Sequence, residues 1–156
     1  MSRAVIPSAV LFLLILPACD SGSVRPNAAE EIMALERAAL DKWSSGDPLG
    51  YIDGWANDAT YFDDIGAQSG IRGLDSMRSY LGAAVGKLQA HKYTLVEPSV
   101  QVYGNIGILT LQYHSATLEG APLNVWKATI VYRHGGDRWR VVHAHWSVNK
   151  KAPQAA

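Results

Sequence analysis

Arg138-Trp139-Arg140-Val141-Val142-His143-Ala144-His145-Trp146-Ser147-Val148 reads as one long strand. Side chains alternate along a strand, so Trp139, Val141, His143, His145 and Ser147 fall on one face and Arg140, Val142, Ala144, Trp146 and Val148 on the other. Neither face is plainly polar. A strand with large apolar groups on both sides is normally covered on both sides. Helices are therefore expected over one face, and another subunit or a second layer over the other. His143 and His145 stand on one face, roughly 6–7 Å apart at their Cα atoms, and are expected to point at whatever the sheet encloses.

Working outward, the chain has 156 residues, 48% of them hydrophobic, and equal numbers of acidic and basic side chains. That is enough for one domain with a core and too little for two. With no basic stripe there is nothing to attract a phosphate backbone, and nucleic acid is excluded as a partner.

Residues 1–18 have the order of an export signal: Arg3, an apolar run from Val5 to Leu16, then Leu16-Pro17-Ala18-Cys19. The apolar run falls short of the roughly 20 residues that span a bilayer. Leu16-Pro17-Ala18-Cys19 resembles the lipobox of bacterial lipoproteins, in which cleavage leaves a lipid-modified cysteine as the first mature residue. Cys19 is the only cysteine, so it serves no disulfide within the chain. The resemblance implies a lipid anchor at Cys19 and a place in the bacterial cell envelope, with the domain in the periplasm or otherwise outside the cytoplasmic membrane. Asp20 resembles the signal that keeps some lipoproteins at the inner membrane. Residues 19–26 carry the anchor and a Ser/Gly/Pro tether, residues 27–149 form the domain, and 150–156 are a frayed tail.

Within the domain, Asn27 is placed to cap a helix whose apolar stripe is Ile32, Leu35, Ala39, Leu40 and Trp43, ending at Gly46. Asp47-Pro48 predicts a second short helix carrying Leu49, Ile52 and Trp55 inward. Ala59–Asp64 reads as a strand, 65–73 as a loop or small hairpin, and Leu74–Leu88 as a third helix. Strands follow at 91–96, 100–103, 106–118, 123–132 and 138–148, separated by turns at Gly104-Asn105, Glu119-Gly120 and Gly135-Gly136-Asp137. Helices first and antiparallel strands after make an α+β fold, with three helices on one face of a curved sheet.

This order of elements is similar to the nuclear transport factor 2-like superfamily, especially its SnoaL-like and calcium/calmodulin-kinase-association-domain-like branch. The matching stretches are Trp43–Asp47, Tyr61-Phe62-Asp63-Asp64, Gly73-Leu74-Asp75-Ser76-Met77 and Trp139–Ser147. The resemblance implies a cone of bent sheet and three helices, a pocket at its wide end and a homodimer formed through the outer face of the sheet. The superfamily holds isomerases, dehydratases, cyclases, epoxide hydrolases and assembly domains, so fold alone does not fix function. Neither the Tyr/Asp/Asp arrangement of ketosteroid isomerase nor the Asp-Arg-Asp relay of epoxide hydrolases stands at matching positions.

Three functions fit the residues. A binding module would take a small, partly apolar ligand between Trp43, Trp55, Tyr61, Tyr113, Trp126, His143 and His145, rings with a few polar tips. A cofactor-free isomerase or dehydratase would pair Asp63 or Asp64 with His143 or His145 as acid and base, Tyr61 or Tyr113 donating to a developing oxyanion. A scaffold would only assemble copies of itself. His143 and His145, with His114 or Asp63, offer the ligand types of a zinc site, although His-x-His alone does not define one. His91 opens a strand and His134 sits beside a turn. The absence of a Gly-rich phosphate loop, a Ser nucleophile motif and a Cys nucleophile in the mature domain excludes nucleotide hydrolysis and thiol chemistry.

Overall fold

The computed structural model describes residues 26–149. The expected signal peptide, Cys19, most of the tether and the tail lie outside the described residues. Helix α1 spans Ala28–Ser44, with Glu30 and Glu31 in its first turn and Lys42 in its last, each charge complementing the helix dipole. Asn27 precedes it, but its side chain makes no capping bond. The end is closed as expected at Gly46, which has φ +93°. Its N–H reaches the Trp43 carbonyl and that of Asp47 the Lys42 carbonyl, a pairing that needs the left-handed residue glycine supplies.

The predicted second helix is reduced to a 3₁₀ turn at Gly50–Ile52. Asp47 accepts the Gly50 N–H at 2.8 Å, forming a local turn, and with glycines at 50 and 54 the stretch is too short to nucleate an α-helix. Trp55 instead starts strand β1, Trp55–Asp63. Within the expected loop, Ile71–Arg72 forms β2, antiparallel to β1. Helix α2, Leu74–Gly82, stops short of the predicted Leu88 and continues as turns through the glycine-containing stretch that follows.

Strand β3 runs unbroken from Lys92 to Tyr103 where two strands were expected. A register shift between Val96 and Ser99, with Glu97 at φ 51°, takes up the irregularity around Pro98. Strands β4, Ile106–Ala116, β5, Pro122–Gly135, and β6, Arg138–Val148, complete a six-stranded sheet ordered β2-β1-β6-β5-β4-β3. The sheet is mixed rather than antiparallel throughout, because β1 returns beside β6 in the parallel sense. Two α-helices and one 3₁₀ turn pack on its inner face, and the α+β class stands.

The face assignment of β6 is reversed halfway along. Tyr132 pairs with Val141 but Val131 pairs with His143, leaving Val142 as an extra residue. This bulge shifts parity by one, so Trp139, Val141, Ala144 and Trp146 are buried inward while His143 and His145 turn to the outer face. The core forms where α1 (Ile32, Leu40) and α2 (Met77, Leu81) meet Leu109, Leu111, Ile130 and Ala144 of the sheet. Near its start α1 lies tight on the sheet, Ile32 directly over Gly107 and Trp139 Nε1–H donating to Glu31 at 3.1 Å.

Candidate functional site

Beyond this tight end, the C-terminal half of α1, the 3₁₀ turn, α2 and the sheet leave a cavity of about 480 Å³, counted out to its mouth. Its walls are Leu40 and Trp43 of α1, Tyr51, Tyr61 of β1, Leu81 of α2, Tyr113 of β4, Trp126 of β5 and Trp146 of β6. Tyr61, Tyr113, Trp126 and Trp146 each stand at an inward-facing position of their strand, and α1 and the 3₁₀ turn supply the other two rings. The rings brace one another: Tyr51 meets Trp43 edge-on at 5.7 Å and Trp146 at 6.4 Å, and Tyr113 stacks on Tyr93 at 5.0 Å. Trp146 Nε1–H donates to Tyr51 Oη at 3.0 Å, which satisfies a buried indole.

The cavity's titratable groups are phenols. Burial pushes the Tyr51, Tyr61 and Tyr113 hydroxyls up, and nearby Glu36, Asp63 and Tyr93 respectively add to the effect. They stay protonated and offer O–H donors rather than phenolates. Neither a carboxylate nor an imidazole lines the cavity wall.

Trp43, Tyr61, Tyr113 and Trp126 therefore line the cavity, while Trp55 stands behind it, 5.8 Å from Tyr51 and 6.0 Å from Tyr61. His143 and His145 do not reach it. On the outer face His143 Nδ1 bonds Thr60 Oγ1 at 2.8 Å, and Phe62 packs near both imidazoles. Burial, then the neighbouring His145, lowers the His143 pKa.

Asp63 lies on the inner side of β1, opposite to these histidines, so the two do not form an acid–base pair. Its Oδ1 accepts the N–H groups of Ile65, Gly66 and Ala67 at 2.8–2.9 Å and its Oδ2 the Tyr80 hydroxyl at 2.6 Å. Burial pushes its carboxyl up, but these four donors outweigh that and hold it below the usual carboxylate range. It is an ionised organiser of the turn after β1, and Asp64 likewise accepts the Val148 N–H at 3.0 Å. Among the described residues no three His, Cys, Asp or Glu side chains converge as metal ligands, so His143, His145, His114 and Asp63 form no metal cluster.

Two buried polar contacts escaped the sequence reading. Glu36, only 1% exposed, accepts the Tyr132 O–H at 2.5 Å through Oε2, while its Oε1 has no partner among the described residues. Burial raises its carboxyl to about 7, against the lowering effect of Tyr132. Its position four residues from both Ile32 and Leu40 was the available signal. His91, apparently a mere strand opener, bonds Tyr113 Oη through Nε2 at 2.6 Å.

A bent sheet folded over helices around an aromatic cavity defines the nuclear transport factor 2-like class. Residues 32–150 match the SnoaL-like domain, and the chain belongs to that family. A candidate ketosteroid isomerase from Parabacteroides distasonis is 30% identical, with TM-score 0.68 over 82% of this chain and 92% of that one. An NTF2-like protein of unknown function from Pseudomonas putida is 22% identical, with TM-score 0.73 over 83% and 92%. The CamKII hub homology domain of Chlamydomonas reinhardtii is 21% identical, with TM-score 0.64 over 79% and 99%. No curated protein matches the chain in sequence. No helix among the described residues is long and apolar enough to cross a membrane.

Proposed function

We propose that the domain binds a small, partly apolar molecule in the aromatic cavity, as the binding module of a lipid-anchored envelope protein. What supports this is the lining: six of its eight residues are aromatic, with hydroxyl and indole tips as the polar groups. Rings and a few oriented donors suit a compact apolar skeleton carrying one or two oxygens. A cofactor-free isomerase or dehydratase is the second reading, favoured by the likeness to the candidate ketosteroid isomerase of Parabacteroides. Tyr61 or Tyr113 would donate to its oxyanion, but that chemistry also needs a base at the cavity, and the lining holds none.

Native mass spectrometry of freshly purified protein tests binding. A reproducible extra mass, absent from Leu81→Trp because the larger ring fills the cavity, is expected. A wild-type chain that stays bare when challenged with a 2-indanol library contradicts the reading.

The same proposal places the protein on a membrane through acylated Cys19 and as a homodimer through the outer face of the sheet. Ile108, Val125, Val131 and Phe62 stand half-buried there among polar neighbours, an apolar area that a second copy would cover. Cys19→Ser is expected to move the protein to the soluble fraction and Val131→Glu to halve its sedimenting mass. Unchanged fractionation would remove the anchor, and unchanged mass the dimer face.

A further inference from the structure

One phenol of the cavity wall is hydrogen-bonded to a residue outside that wall. Tyr113, 3% exposed, supplies one of the hydroxyls of the lining. Its Oη is 2.6 Å from His91 Nε2, and His91 Nδ1 is 2.9 Å from the Gln89 carbonyl oxygen. A carbonyl only accepts, so Nδ1 carries a hydrogen. In a neutral imidazole Nε2 is then bare and must accept the Tyr113 O–H. The single phenolic proton is committed to His91, and Oη can turn only lone pairs toward a ligand. When His91 is protonated both ring nitrogens donate. Nε2–H then points at Oη, and the phenolic O–H is released to donate elsewhere.

We infer that His91 is a specificity-determining residue that makes Tyr113 an acceptor for alcohol or phenol groups when neutral and a donor to carbonyl groups when protonated. The inference rests on the cavity being a ligand site. It defines the ligand class further, as an apolar ring system bearing a hydroxyl that is preferred over the corresponding ketone while the imidazole is neutral. The backbone holds the device in place, because His91 N–H donates to the Ser44 carbonyl at 2.9 Å at the end of α1. The titratable groups packed around the pair are Tyr93 of β3, stacked on Tyr113, and Asp41 of α1, which accepts the Tyr93 O–H at 2.6 Å. Tyr93 is pushed up first by burial and then by Asp41, so it stays a neutral phenol.

Two measurements on the full chain test this. In the ligand-free protein, the side-chain nitrogen resonances of His91 are expected to show the Nδ1–H tautomer in the neutral ring, and the Nε2–H tautomer overturns the switch whatever the cavity binds. Calorimetric titration with 2-indanol and 2-indanone, at about pH 8 and about pH 5, on either side of the reference imidazole value of about 6.5, then reads its consequence. The indanol-to-indanone affinity ratio is expected to fall about fivefold on acidification, the worth of one ordinary hydrogen bond. His91→Phe should make the ratio independent of pH. A wild-type ratio equal at both pH values overturns the switch while leaving the cavity a binding site. Failure of both probes to bind, with the Nδ1–H tautomer present, overturns the binding reading instead.

Discussion

Glu36 and Asp63 are buried carboxyls tuned in opposite directions, and stability should follow pH with opposite signs at the two. Glu36 goes from an ordinary 4.5 to about 7 on folding. Below 4.5 both folded and unfolded chains hold the proton and nothing is lost. As pH rises the unfolded chain ionises first, so stability drains until about 7 and stays low above it. The whole step is worth on the order of 3 kcal/mol, since one pKa unit corresponds to about 1.4 kcal/mol. Urea midpoints of Glu36→Gln are expected to lack this decline between about pH 5 and about pH 8. A variant profile parallel to wild type would refute the buried proton. Asp63 is held below its usual 3.8, so the stability it lends is present above that value and disappears as pH falls through its lowered one. Asp63→Asn should cost about 2 kcal/mol at neutral pH, the range for bonds to a charged group, and the deficit should close in acid. A deficit that persists in acid would mean that packing, not charge, organises this turn.

At the level of elements, close approach of α1 to the sheet depends on Gly107. A Cβ there would collide with Ile32 Cδ1, and Ile32, with no exposed surface, has nowhere to move. Gly107→Ala is expected to destabilise by about 1–3 kcal/mol through overpacking. Adding Ile32→Val, which removes that carbon, should recover part of the loss in a double-mutant cycle; strict additivity would show that the two do not press on each other. The limits of β6 were legible in the sequence, because an eleven-residue stretch rich in Val and Trp, bounded by Gly135-Gly136-Asp137, leaves little choice. Its inward face was not. Val142 looks like any alternating residue, and only its lack of a partner on β5 shows it to be the bulge that sends His143 and His145 outward. Deleting Val142 removes the extra residue, so His143 follows Val141 in regular alternation with Ala144 and Trp146 still inward, and a cooperative unfolding transition is expected to survive. Loss of the transition would mean that Val142 is not the residue the ladder leaves out. Trp43, Tyr61, Tyr113 and Trp126 were legible as cavity residues because large rings at inward positions have few other places to go. Glu36 was hidden by its charge, and His91 by partners more than twenty residues away or on the backbone.

For the whole molecule, the sheet, α1 and α2 together build one end where α1 lies tight on the sheet and one that is open. Ile32 over Gly107 and the Trp139–Glu31 bond hold the first, while Trp43, Trp126 and Trp146 surround the second. The five indoles are therefore built-in reporters, with Trp139, which lines a separate groove beside Leu35 and Trp55, as the control for binding elsewhere. The most direct measurement is a titration of the nitrogen-labelled protein with 2-indanol, followed at the indole N–H resonances. Saturable shifts of the Trp43, Trp126 and Trp146 signals with Trp139 unmoved are expected if the open end is the binding site. No saturable shift, or equal shifts at all five, would contradict it.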